Sequence, residues 1–413
     1  MQIYTTMKNR KSLCMIFVFF AAFTALAGCG KVKISADNHS SVAAGSDVEI
    51  IGLSLDGKAF LLDGEPFCPR GYIFESLLYT RDNLIKYSKE PAYEEFCTRQ
   101  LEAQDFYFGE GKFGDNSGLD LARNWGANTI RLNVNQAALD PQNQYYSEDY
   151  VHMIQRAVQA AREKGFVVIL TIFVAANRNI PQPMRDENPN SPLNNQVSFR
   201  ACVKLGELFG HDSYIMLETL NEPWSPTRTD IGWQIYRDGG MPTSGTFRGV
   251  KFVGVNTIIK TLRKGGAKNF IIVQGLLMTF KGFPGGFEDP LGKIVYSVHP
   301  FLGDGSDVKA IDWDGNFGFM ADRYPFLITA WQAKVSGGWC EAFGIHTPIA
   351  FLDYIRSKNI GMMAYALDIP FTTVRDFRTD PIVPTVLGDK CSAWAGRGTG
   401  EITKDYFLSY TND

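Results

Sequence analysis

The chain has 413 residues, 45% hydrophobic, 21% charged and 13% aromatic, which excludes a disordered, collagen-like, coiled-coil or small disulfide-framed protein. Its length suits two or three average domains, or one long barrel of alternating strands and helices. Lys and Arg number 41 against 44 Asp and Glu, a net of −3 with no basic tract, so nucleic acid is not an expected partner.

The first thirty residues read as an export signal. Lys8, Arg10 and Lys11 precede an apolar run from Leu13 to Phe23 that is too short to span a bilayer. The run leads into Leu26-Ala27-Gly28-Cys29, so residues 1–28 have the basic, apolar and small-residue parts of a secretory signal. The closing Cys resembles the lipobox of bacterial lipoproteins. That resemblance implies a lipid on Cys29 and a membrane anchor at the cell surface or the periplasmic face; an ordinary signal peptide with a chance Cys is the other reading. Losing three positive charges and no negative one takes the net from −3 to −6. Residues 29–47, polar and rich in Ser, Ala and Gly, then form a flexible tether. Cys68, Cys97, Cys202, Cys340 and Cys391 remain, an odd set that leaves at least one thiol free. Their spacing fits no zinc pattern and the chain has only 5 His, so neither a structural metal nor a cofactor is expected.

The folded part, residues 48–413, alternates short apolar runs with amphipathic stretches. Residues 59–66 give two short strands about an Asp-Gly turn. Eight candidate strands follow: Gly71–Phe74, Asn128–Val134, Phe166–Phe173, Tyr214–Asn221, Asn269–Gly275, Lys293–His299, Pro325–Trp331 and Ile360–Asp368. Runs such as Val-Val-Ile-Leu-Thr-Ile are continuous rather than alternating, as parallel strands buried on both faces should be. Between them lie helices. The clearest has Ser147 as N-cap, Glu148 and Asp149 in its first turn, one apolar face of Val151, Ile154, Ala157, Val158 and Ala161, and Gly165 as its stop. Another runs from Pro348 to Lys358. After the first strand, Phe74-Glu75-Ser76 leads into a stretch to Asn116 that reads as a long polar loop, not a Gly-rich phosphate loop. The fold class is therefore α/β, a single (β/α)₈ TIM barrel, with an open doubly wound sheet as the weaker alternative. A monomer is expected.

In such a barrel the chemistry stands at the carboxyl ends of the strands. Those ends present Arg131 and Asn133 on the second strand, and Glu218, Asn221 and Glu222 on the fourth. The sixth carries Tyr296 and His299, the seventh Ala330 and Trp331, and the eighth Tyr365 and Asp368. The nearby loops are aromatic, with Trp224, Trp233, Tyr236, Trp313 and Trp339. Flat rings beside carboxylates suit sugars, although most aromatics in long loops serve packing.

Three motifs now carry a family resemblance. Leu217-Glu218-Thr219-Leu220-Asn221-Glu222-Pro223 resembles the Asn-Glu-Pro strand of family 5 glycoside hydrolases, the retaining cellulases and mannanases. Trp125-Gly126-Ala127-Asn128-Thr129-Ile130-Arg131-Leu132 resembles that family's second strand, and Val295-Tyr296-Ser297-Val298-His299-Pro300-Phe301 its sixth. The resemblance implies a β-linked oligo- or polysaccharide as partner and Glu222 as acid/base. It also implies that Asn221 bonds the hydroxyl beside the reacting carbon, that Arg131 orients the nucleophile, and that His299 positions it or the substrate. Trp224, Trp331 and Tyr365 become candidate sugar contacts. Glu218, deeper on the same face, reads as an internal partner of Arg131 rather than a catalyst.

One family residue is missing. The seventh strand reads Pro325-Phe326-Leu327-Ile328-Thr329-Ala330-Trp331-Gln332, with Ala330 where the family has the nucleophile Glu. Retaining hydrolysis needs two carboxyl groups, and a methyl cannot attack carbon. Phe301 replaces a common Tyr, Leu170–Ala175 lacks a common His, and Tyr365 replaces a frequent Trp. Three explanations stand: a deliberate knockout in an intact hydrolase, a sugar-binding protein on a dead enzyme's frame, or a carboxylate taken from elsewhere. For the last, Asp368 is the first candidate and Glu341 the second. With no carboxylate at 330, Glu222 is expected to titrate lower than it would beside one.

Overall fold

A computed structural model describes residues 52–109, 117–174, 191–226, 231–276, 279–300, 312–332, 346–386, 393–394 and 397–410. Cys29 and the signal, the tether, Phe301, Trp339, Cys340, Glu341 and Cys391 lie outside the described residues.

All eight expected strands form, and each pairs in parallel with its neighbours to close a barrel. They are β1 (Arg70–Phe74), β2 (Thr129–Asn135), β3 (Val167–Phe173), β4 (Ile215–Glu218), β5 (Phe270–Gln274), β6 (Ile294–Val298), β7 (Phe326–Trp331) and β8 (Gly361–Ala364). Closure comes from β8 pairing β1, with Ala364 opposite Tyr72. β3 shows why these segments are strands. Its branched run is buried along almost its whole length, against the barrel interior on one face and helices on the other.

The helix over Glu148–Glu163 starts where its cap predicts, with the Ser147 hydroxyl accepting the Tyr150 amide at 3.2 Å. Gly165, at φ 75°, turns the chain back into β3. The Asp-Gly turn also holds, with Asp63 and Gly64 both at positive φ between paired Leu62 and Glu65. A third strand that the sequence reading omitted, Leu53–Asp56, completes this small sheet. Leu53 and Phe60 join the cluster of the barrel interior, and the Phe60 ring meets Phe270 edge-on at 6.1 Å.

The expected long polar loop after β1 is instead largely helical, over Arg81–Tyr87 and Glu94–Phe108. The second helix was hidden because its inner face is partly polar. Gln100, Gln104 and Asp105 are buried beside Cys97 and Ala103, which blurs the apolar stripe. Those polar groups fasten the helix to the barrel's open end. Gln104 donates to the carbonyls of Ser76 and Tyr79, and the Tyr107 hydroxyl donates to Leu367 O at 2.6 Å.

Inward side chains stack in layers. Ile73, Val167, Ile169, Met216, Ile272, Val295, Leu327 and Met363 fill the floor with apolar surface. Above them stands a polar layer in which Arg131, Thr171, Glu218, Ser297 and Thr329 are hydrogen-bonded together. Function belongs above that layer.

Candidate active site

Arg131 and Glu218 form the base of the site. Both are almost fully enclosed, and the guanidinium grips Glu218 Oε2 through Nε at 2.8 Å and Nη2 at 2.6 Å. Thr171 also donates to Oε2, while Ser297 and Thr329 supply Oε1. Burial alone would raise the Glu218 pKa, but the Arg131 charge and these donors outweigh it and hold the carboxyl below its ordinary value. Glu218 is thus the internal ion-pair partner expected from its depth. Arg131 also donates to Asn133 Oδ1 at 3.0 Å and to Asn221 Oδ1 at 2.8 Å. One cation therefore ties β2 to the end of β4.

Beyond β4 the chain bends sharply. Glu222 adopts φ 50°, a left-handed conformation that a non-Gly residue takes only when its surroundings enforce it. Its amide donates to Gln274 Oε1, and the Asn221 amide donates to Ile172 O at 2.8 Å. The bend aims the Glu222 side chain into the mouth, where it is 40% exposed. His299, 1% exposed, places Nδ1 3.0 Å from Glu222 Oε1 and Nε2 3.0 Å from Thr329 Oγ1. Burial pushes the Glu222 pKa up, yet the His299 hydrogen bond and the charges of His299 and Arg131 leave it lowered. His299 itself is lowered, chiefly by burial, against the pull of Glu222.

The seventh strand carries a bulge. Its register with β8 shifts between Ile328 and Trp331, so Thr329 reaches the interior polar layer and Ala330 still joins the interior cluster. His299 links Glu222 to Thr329, the residue before Ala330. Ala330 itself carries a methyl that is 2% exposed. Past the bulge, Trp331 turns outward, fully buried, and stacks parallel to Phe351 with centroids 6.0 Å apart. Expected as a sugar contact, Trp331 has no exposed surface to offer one.

The eighth strand also departs from expectation. Asp368, the first candidate for a relocated nucleophile, is fully enclosed. Its Oδ2 accepts the amides of Glu75 at 2.7 Å and Ser76 at 2.6 Å, locking the end of β1 to the chain after β8. A carboxylate so held cannot reach a sugar. Burial, opposed by those amides, pushes its pKa up to about 6.

That lock exposes a residue the sequence reading passed over. Glu75 follows Ile73 by one strand period and shares its inward direction. The same period applied to the first strand would have found it. Its carboxyl is partly exposed and hydrogen-bonded by the Tyr365 hydroxyl. Burial first, and then the neighbouring Asp368 charge, push its pKa up to about 8. Tyr365, expected as a sugar contact, is here the hydrogen-bond partner of a carboxyl that the sequence did not point to.

Of the loop aromatics, Trp224 stands 36% exposed two residues beyond Glu222, its edge against Phe247 at 5.2 Å. Trp233, Tyr236 and Trp313 serve packing instead. Trp233 stacks on Phe280, Tyr236 donates to Gln274 O, and Trp313 meets Phe351 edge-on.

No curated protein matches the chain by sequence. Among solved structures it is similar to the catalytic domain of Thermobifida fusca endoglucanase Cel5A in complex with cellotetraose, at 13% identity over 86% of this chain and 97% of that one, TM-score 0.55. It is similar too to the catalytic domain of alkaline cellulase K, at 16% identity over 88% and 94%, TM-score 0.53. A third is a thermostable, halotolerant GH5 cellulase from an Icelandic hot spring isolate, at 15% identity over 87% and 94%, TM-score 0.51. At these identities the likeness speaks for the barrel. The model of the cellulase family matches residues 90–369, a span holding seven of the eight barrel strands and every mouth residue expected from the sequence. The chain belongs to glycosyl hydrolase family 5.

Proposed function

We propose that the mouth binds a β-linked glycan with one sugar ring against Glu222, and that the two-step retaining route of the family is closed here. The carrying observation is the contact chain from Arg131 through Asn221 to the Glu222 bend, and from Glu222 through His299 to Thr329, which ends beside a methyl at residue 330. In this reading Asn221 bonds the hydroxyl next to the reacting carbon, and Trp224 and Tyr365 offer surface to neighbouring rings. The endoglucanase Cel5A structure holds cellotetraose, which makes cello-oligosaccharides the first ligands to try.

Two measurements test the reading. Calorimetry with cellotetraose and cellohexaose should show binding that weakens when Trp224 is changed to Ala. Ala330→Glu should bring in hydrolysis that keeps the anomeric configuration, because it returns the second carboxyl group. No heat with any β-linked oligosaccharide would remove the reading. We also propose export and lipid anchoring through Cys29. Cys29→Ser should release the protein from membranes and abolish labelling by radioactive palmitate.

A further inference from the structure

We propose that Glu75 is the general acid and Glu222 the general base of a single-displacement glycoside hydrolysis that inverts the anomeric carbon. This rests on the reading that a β-linked glycan binds at the mouth, and adds a route that does not need a nucleophile at residue 330.

The argument begins with barrel geometry. In a closed ring of eight sequential strands, β7 lies three strands from β4 in one direction and β1 lies three strands away in the other. Glu75, just past the end of β1, therefore faces Glu222 across the mouth over the same angular span as residue 330. It is also built in rather than incidental. Its amide is fixed by Asp368, its carboxyl takes the Tyr365 hydroxyl, and its field reaches both Glu222 and Arg131.

The two carboxyl groups are set for different tasks. From the elements packed around Glu75, the facing titratable or charged groups are Asp368 and Tyr365 after β8, Tyr79 in the turn after β1, Glu222 after β4 and Arg131 on β2. Two of these are carboxylates, and the single cation is engaged by Glu218. Glu75 consequently keeps its proton at neutral pH, whereas Glu222, beside His299, gives its proton up. Groups pushed apart in this way divide into an acid and a base.

The step balances without a further reagent. A water oxygen forms a bond to the anomeric carbon while Glu222 takes one of its protons. The bond from that carbon to the glycosidic oxygen breaks with its electron pair on oxygen, and the Glu75 proton completes the leaving hydroxyl. Both carboxyls then return to their resting states by exchange with solvent.

The test is the stereochemistry of the full-length protein's own product. Proton NMR during hydrolysis of cellohexaose should show the α-anomer first from the parent and the β-anomer first from Ala330→Glu. Glu75→Gln should lower kcat about 10²–10⁴-fold on cellohexaose with KM little changed. It should retain most activity on a dinitrophenyl β-glycoside, whose leaving group needs no proton, which separates an acid from a merely structural residue. If Glu75→Gln does not fold, the parent's anomer and a basic limb near pH 8 in its kcat profile still decide. Cellohexaose bound but never cleaved by the parent, a β-anomer from the parent, or undiminished turnover by Glu75→Gln would each overturn the proposal while leaving glycan binding intact. Failure to bind any β-glycan would instead remove the reading beneath it.

Discussion

On the β4 side of the mouth, Glu218 and Glu222 sit within the field of Arg131 and among donors from Thr171, Ser297, Thr329 and His299. On the β1–β8 side, Glu75 and Asp368 sit together with a tyrosine hydroxyl and backbone amides and, among the described residues, form no ion pair with a cation. All four carboxyls face desolvation. The first pair is held below the ordinary carboxylate range and the second is pushed above it: Arg131 does most to keep Glu218 charged, and His299, ahead of Arg131, keeps Glu222 charged. Burial sets the cost of a charge at this mouth, and partner supply sets whether the charge survives it.

The largest effect should follow from removing the guanidinium. Arg131→Met leaves Glu218 buried without its counter-ion, and breaking such a pair costs about 3–5 kcal/mol. Urea denaturation at pH 7 should show that loss, and Glu218→Gln in the same background should recover much of it. A stability within 1 kcal/mol of the parent, a bound set by the size of surface-pair effects, would mean the two rims do not differ through Arg131.

Glu75 tests the other rim through pH. Its folded pKa of about 8 lies above the ordinary carboxyl value, so the folded state holds the proton more tightly than the unfolded one. Stability tied to that proton is complete below the ordinary range and is lost as pH rises through about 8. Glu75→Gln cannot lose a proton. The variant should match the parent at pH 4 and exceed it at pH 9 by on the order of 2 kcal/mol, discounted for partial exposure. Thermal melts across that range would show the two curves parting, and curves that stay parallel would place Glu75 with the charged rim.

Most of the barrel was legible because its strands are buried on both faces, as in Val167–Phe173, and because helix ends carry local signals such as Ser147 and Gly165. The constellation of Arg131, Asn221, Glu222 and His299 was legible for the same local reason, since each follows strand phase or the bend directly after a strand. What escaped depends on contacts between distant segments. Glu94–Phe108 buries Gln104 against carbonyls more than twenty residues away, so its polar face looked like a loop. The β7 bulge reverses the phase after Thr329, sending Trp331 to Phe351 when simple alternation would keep it with Thr329. Asp368 looked free at a strand end, and only the fold brings the Glu75 and Ser76 amides to it.

A carboxylate placed at residue 330 should raise the Glu222 pKa. Ala330→Glu adds a negative charge beside the Thr329 and His299 contact that steadies Glu222, and like charges resist coexistence. Carbon-detected NMR titration should find the Glu222 pKa higher in the variant by about one unit, worth about 1.4 kcal/mol between its two states. Equal values in both proteins would show that residue 330 lies outside the field of Glu222.

The smallest expected change isolates one hydroxyl on the uncharged rim. The Tyr365 hydrogen bond pulls the Glu75 pKa down against burial and Asp368, so Tyr365→Phe should raise it further. A shift of about half a unit, within the reach of one hydrogen bond of roughly 0.5–1.5 kcal/mol, is expected by the same titration. Glu222 should stay where it is, because its own support comes from His299 and Arg131. Equal movement of both groups would mean that Tyr365 acts by reshaping the whole mouth, and the two rims would then titrate as one coupled set.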